Sequence, residues 1–107
     1  MKSVMTREKT GTNEEKVGED FLLTVGEFKG WVREMAREIG VKVKEIHLRR
    51  LKRKIASCSS KGRLTFDQGI LGREPGERKK IVVHELLHLR YPRHGRMFKL
   101  MMGIYGK

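Results

Sequence analysis

Ile81-Val82-Val83-His84-Glu85-Leu86-Leu87-His88-Leu89 places two histidines four positions apart inside an apolar run. Residues at that spacing lie one above the other on one helix face. A helix is predicted over Glu77 to Leu89, stopped by Tyr91-Pro92 because the residue before proline avoids helical geometry. Two imidazoles on one face can grip a single ion. Zinc takes tetrahedral nitrogen ligands at about 2.0 to 2.1 Å, and a catalytic zinc leaves one position to water whose pKa falls to about 7. Glu85 follows the first histidine directly, where a carboxylate can take that water's proton and pass it to a leaving group. The plain alternative is two hydrogen-bonded core histidines beside a solvated glutamate. Burying two imidazoles and a carboxylate for packing alone is costly, and Ile81, Val82, Leu86 and Leu89 give the pair an apolar flank.

A third ligand is required. Beyond Glu85 the chain holds no Asp, Glu or Cys, which leaves His94 as the donor. Pro92 before it and Gly95 after it let the chain turn and bring the imidazole back over the metal. The alternative for His94 is a surface residue between Arg93 and Arg96. Tyr91 stands where a metzincin spacing carries glycine, and a turn needing positive φ resists tyrosine.

Upstream, Thr24 and Glu27 form a Thr-x-x-Glu capping box that starts a first helix. Its apolar stripe is Phe28, Trp31, Val32, Met35, Ala36 and Ile39, and it ends at Gly40. From Val41 the period changes to two, through Val43, Ile46 and Leu48, as in a half-buried strand or pair of strands. His47 then faces away from the core. A further strand is expected through Arg53 to Ala56, with Ser57 to Gly62 as a turn and Arg63 to Asp67 closing a hairpin. Residues 69–76 read as a loop. Met97 to Tyr105 reads as a short last helix, with Met97, Met101 and Met102 filling the core. Residues 1–20 lack periodicity and read as a flexible arm, leaving 21–107 as one domain.

Composition bounds the remaining possibilities. A chain of 107 residues supports one modest core. The single Cys58 excludes an internal disulfide, and its setting in a turn favours packing over chemistry. With no signal-like start and no apolar run near the roughly 20 residues of a membrane span, a cytoplasmic protein without membrane partners is expected. The charge of +12 suggests a polyanionic partner. A surface with 36% charged residues, one Asn and one Gln suits heat adaptation equally well.

Ala56-Ser57-Cys58-Ser59-Ser60-Lys61-Gly62, the two-histidine helix, and His94-Gly95 with Phe98 resemble the C-terminal core of YgjP-like metal-dependent hydrolases. In size the chain is similar to the minigluzincins, small peptidases. The resemblance spans roughly residues 45 to 102. It implies an α+β, minimal zincin-like domain: an N-terminal helix, a small three-stranded sheet, an active-site helix and a short C-terminal helix or tail. It also implies zinc on His84, His88 and His94, Glu85 as general base, and a peptide or protein substrate. A zincin substrate can add to an exposed edge strand, and Arg63 to Asp67 is the expected edge. The resemblance further implies that the segment after His94 folds over the cleft and keeps the enzyme latent. Tyr91, Arg93 and Tyr105 stay open as oxyanion-stabilising residues.

Two other readings compete. Lys42, Lys44 and the run Arg49-Arg50-Leu51-Lys52-Arg53-Lys54 could serve a nucleic-acid-binding module, although no aromatic residue interleaves them for base stacking. The third is a metal-bound protein without catalysis.

Overall fold

The computed structural model describes residues 22–107. The expected arm over residues 1–20 lies outside them. Thr24 caps helix α1 (Val25–Ile39): its Oγ1 accepts from the Glu27 amide at 3.0 Å, and Glu27 Oε1 accepts from the Thr24 amide at 2.9 Å. These two bonds satisfy donors that the first helical turn leaves orphaned. Gly40 ends the helix at φ 87°, a left-handed position where a β-carbon is strained. Phe28, Val32, Met35, Ala36 and Ile39 form its buried stripe.

Three strands follow: β1 (Glu45–Arg49), β2 (Ala56–Cys58) and β3 (Arg63–Asp67), in the spatial order β1-β3-β2. β1 runs parallel to β3, pairing Ile46 with Leu64 and Leu48 with Phe66, while β2 runs antiparallel to β3. Ile46, Leu64 and Phe66 are buried on one sheet face. On the other, Glu45 accepts from Arg63 Nε at 3.1 Å and lies 2.7 Å from His47 Nε2. His47 thus faces away from the core as its alternation predicts.

The strand boundaries differ from the expectation. β2 begins three residues later than Arg53 and takes in Ser57 and Cys58, whose small side chains suit an edge strand. Val41 to Lys44 stays outside the ladder because the Lys44 and Glu45 amides both donate to the Gly62 carbonyl. Gly62 sits at φ 92°, and a β-carbon there would lie 3.2 Å from backbone atoms of Lys42 and Lys44. The largest departure concerns β3. Hydrogen-bonded on both sides, it cannot be the exposed edge, and β2 is the edge beside the next helix.

The expected loop over residues 69–76 is partly helical. Gln68–Gly72 forms a 3-10 turn capped by Asp67, and helix α2 (Pro75–His88) starts two residues before Glu77. Pro75 suits the first turn because its missing N–H is not needed there. Arg78, 5% exposed, anchors this junction. Its Nε donates to the Ile70 carbonyl at 3.1 Å, and Nη2 donates to those of Leu71 at 3.0 Å and Arg73 at 2.8 Å.

Helix α3 (Arg96–Tyr105) closes the fold, with Phe98 buried. Met97 is 44% exposed and joins Leu100 and Ile104 on the outer face, so it is not the core filler expected; Met101 and Met102 do pack against the core. The core joins α1 and α2 to the sheet through Phe28, Phe66, Val82, Val83, Leu86 and Leu87. Phe28 and Phe66 meet edge to face at 5.2 Å. Burying each such side chain contributes about 1.5 to 3 kcal/mol. Among the described residues no helix is long and apolar enough to cross a membrane.

Candidate metal centre

Leu86 and Leu87 fix the roll of α2. Both are fully buried, which turns His84, Glu85 and His88 toward partly open positions. His84 Nε2 and His88 Nε2 lie 3.3 Å apart. The chain leaves α2 through Leu89 and Arg90, passes Pro92, and returns His94 so that its Nε2 is 2.9 Å from that of His88. The three histidines form the one group of at least three His, Cys, Asp or Glu able to share an ion among the described residues, with ligand atoms within 4.8 Å of one another.

The tautomer of His88 follows from its neighbour. A carbonyl only accepts, so Nδ1–H donates to the Pro92 carbonyl at 3.1 Å, which leaves Nε2 as the nitrogen that faces the other two rings. Burial, with the charges of His88 and His94, pushes the His84 pKa below its ordinary value, favouring the unprotonated ring a metal requires. Tetrahedral nitrogens on a zinc at about 2.0 to 2.1 Å stand about 3.3 Å apart. The first nitrogen separation equals that and the second is a few tenths of an ångström tighter. All three ligand atoms lie within 4.8 Å of one another, and three imidazoles are a donor set suited to a divalent metal that accepts nitrogen ligands.

Phe98 forms the floor. Its ring lies 5.1, 4.9 and 4.6 Å from those of His84, His88 and His94. One apolar side chain thereby restricts all three imidazoles and joins α3 to the site. In the sequence Phe98 stands beside His94-Gly95 in the family resemblance and carries no assigned role; its place three residues past Gly95, on the first turn after the ligand loop, is the signal that could have given it one.

An open groove of about 370 Å³ adjoins His84. Helix α2 contributes Lys80, Ile81, His84 and Glu85, Ala56 at the start of β2 and the preceding Ile55 form another side, and α3 contributes Met102. Burial raises the Glu85 carboxyl above the usual carboxylate range, while His94 and Lys54 draw it back down. Cys58 is half-buried behind this wall, and desolvation with the Glu85 charge pushes its thiol up to about 11. It remains a protonated packing residue, as expected. Tyr91, Arg93 and Tyr105 do not line the groove, and Tyr91 lies under the Arg90 guanidinium at 5.6 Å. Lys80 and Met102 were not foreseen as groove residues. Lys80 stands four positions before His84, the same spacing that defines the histidine pair.

The family model described as YgjP-like, metallopeptidase domain, matches residues 5–105. Among solved structures the chain is similar to the metallopeptidase zymogen of Pyrococcus abyssi abylysin, at 28% identity and a TM-score of 0.62, covering 69% of this chain and 74% of that one. Comparison with curated proteins found no match.

Proposed function

The chain belongs to the YgjP-like metallopeptidase family, and on that footing we propose that it is a zinc-dependent peptidase with Glu85 as its general base. The observation that carries this reading is the convergence of three imidazole nitrogens within 4.8 Å, one of them on His84, which lines a groove together with the half-buried carboxylate of Glu85. His84, His88 and His94 would hold the metal. When bound, zinc supplies a Lewis acid that polarises the scissile carbonyl and acidifies water. Glu85 receives the proton from the attacking water and delivers it to the leaving amine. Leu86 and Leu87 hold the helix roll that keeps Glu85 at the groove, and Phe98 shuts water out beneath the imidazoles. The substrate backbone adds along the free edge of β2, whose first residue Ala56 borders the groove together with the preceding Ile55.

Latency is part of the proposal. Met102 of α3 stands in the groove beside His84 and Glu85, and the structural relative is described as a zymogen. Removal of Met102 to Lys107 is expected to raise peptide cleavage, and unchanged activity in a folded, metal-loaded truncation would count against latency.

The central test is metal content of purified protein beside His94→Ala and Glu85→Ala, followed by cleavage of a peptide library. One zinc per chain is expected in wild type, weakened in His94→Ala, and retained without cleavage in Glu85→Ala. No stoichiometric metal after zinc reconstitution would sink the reading.

A further inference from the structure

The groove joins apolar walls to a cationic rim. Ile55 and Ile81 line it, and Lys80 stands one helical turn before His84 on the same face of α2. Lys54 precedes Ile55 in the chain and lies near enough for its charge to act on Glu85. Neither lysine is ion-paired among the described residues: Glu45 pairs with His47 and Arg63, and Glu77 with Arg73. Among the described residues Glu85 is the one acid lining the groove. From Leu86 onward the chain carries Arg90, Arg93, Arg96, Lys99 and Lys107 and no carboxylate side chain.

Taking the peptidase reading as premise, we propose that this groove selects glutamate next to the scissile bond, with Lys80 as the specificity-determining residue. The methylenes of a glutamate lie on Ile55 and Ile81, and its carboxylate pairs with Lys80. A lysine in the substrate at that position meets like charge from Lys80 and Lys54. A neutral side chain of the same shape, glutamine, gains the apolar contact and lacks the ion pair. The difference between the two therefore isolates the charge. A solvated pair is worth little, and a groove wall that sheds water on one side strengthens it. A preference of roughly fivefold for glutamate over glutamine is expected.

The test uses one peptide series that differs at a single position beside the scissile bond, carrying Glu, Gln or Lys. Cleavage by zinc-loaded wild type is compared with that by Lys80→Met and Lys80→Glu. The same peptides, fluorescein-labelled, are titrated by anisotropy into zinc-loaded Glu85→Gln and into its double variant with Lys80→Met. Wild type should favour Glu over Gln in kcat/KM, Lys80→Met should bring the ratio near one, and Lys80→Glu should favour Lys. Ratios taken within one sample are insensitive to the folded fraction. A Glu preference in binding that Lys80→Met removes, without cleavage by wild type or by the zinc-loaded truncation lacking Met102 to Lys107, supports the groove assignment and rejects the peptidase premise. Cleavage that does not distinguish Glu from Gln keeps the premise and overturns the assignment. Equal behaviour of the two peptides in both assays, or a preference that survives Lys80→Met, also overturns it.

Discussion

Replacing Arg78 by methionine isolates the contact that secures the metal-bearing helix to the segment before it. Arg78 is buried, and three of its hydrogen bonds reach the carbonyls of Ile70, Leu71 and Arg73 at 2.8 to 3.1 Å. A hydrogen bond to a charged group contributes about 1.5 to 3 kcal/mol net, so three give an upper range of about 4.5 to 9 kcal/mol. Methionine refills much of the volume, avoids the cost of burying a charge, and lets the outer carbonyls recover water. The expected loss is therefore about 3 to 4 kcal/mol, toward the lower end for a broken buried network. For a domain of this size that lowers Tm by about 15 to 25 °C. Urea denaturation followed by the fluorescence of Trp31, the one tryptophan, gives the stability directly. Arg78→Lys should recover only a minor part, because one ammonium cannot span three carbonyls. A loss under about 1 kcal/mol in Arg78→Met would refute the account of Arg78 as the anchor of this junction.

Asp67 accepts from the Leu51 amide at 2.8 Å and the Gly69 amide at 2.9 Å. These bonds, in that order, hold its carboxyl below the ordinary range. Its stabilisation is complete above the unfolded pKa near 3.9 and is lost as pH falls through the lower folded value. The urea midpoint of wild type should exceed that of Asp67→Asn at pH 7, and the gap should narrow near pH 3; a constant gap would reject the linkage. Cys58, with its thiol pushed up to about 11, should react with iodoacetamide at pH 8 roughly two hundred times more slowly than an ordinary cysteine of pKa near 8.5, since only the thiolate attacks. Equal rates for native and urea-unfolded protein would contradict that environment.

Features written in local spacing were the ones legible in the sequence. The capping box at Thr24 and Glu27, the buried stripe of α1, and the convergence of His84 with His88 each follow from separations of three or four residues. His94 was reached by elimination, because the chain beyond Glu85 offers no other strong donor. The strand order was not legible. Whether β3 is an edge depends on its parallel pairing with β1, eighteen residues earlier in register, and alternation within a strand carries no information about its neighbours. Ser57 and Cys58 looked like a turn because small polar residues suit turns and edge strands alike. Arg78 was missed although it lies in phase with Val82 and Leu86, since an arginine on the apolar face of a helix is ordinarily read as a breach of the pattern.

The candidate ligands stand within one short stretch, His84 to His94, whereas the sheet must join Glu45 to Arg63 across an intervening segment that holds β2. Contacts of short range form with little loss of chain entropy, so the histidine cluster is expected to form before the sheet. A chain not yet folded can already chelate through these histidines. Any ion held by the unfolded ensemble offsets its stabilisation of the native state. Metal should therefore raise the melting temperature by less than its affinity for the folded protein implies.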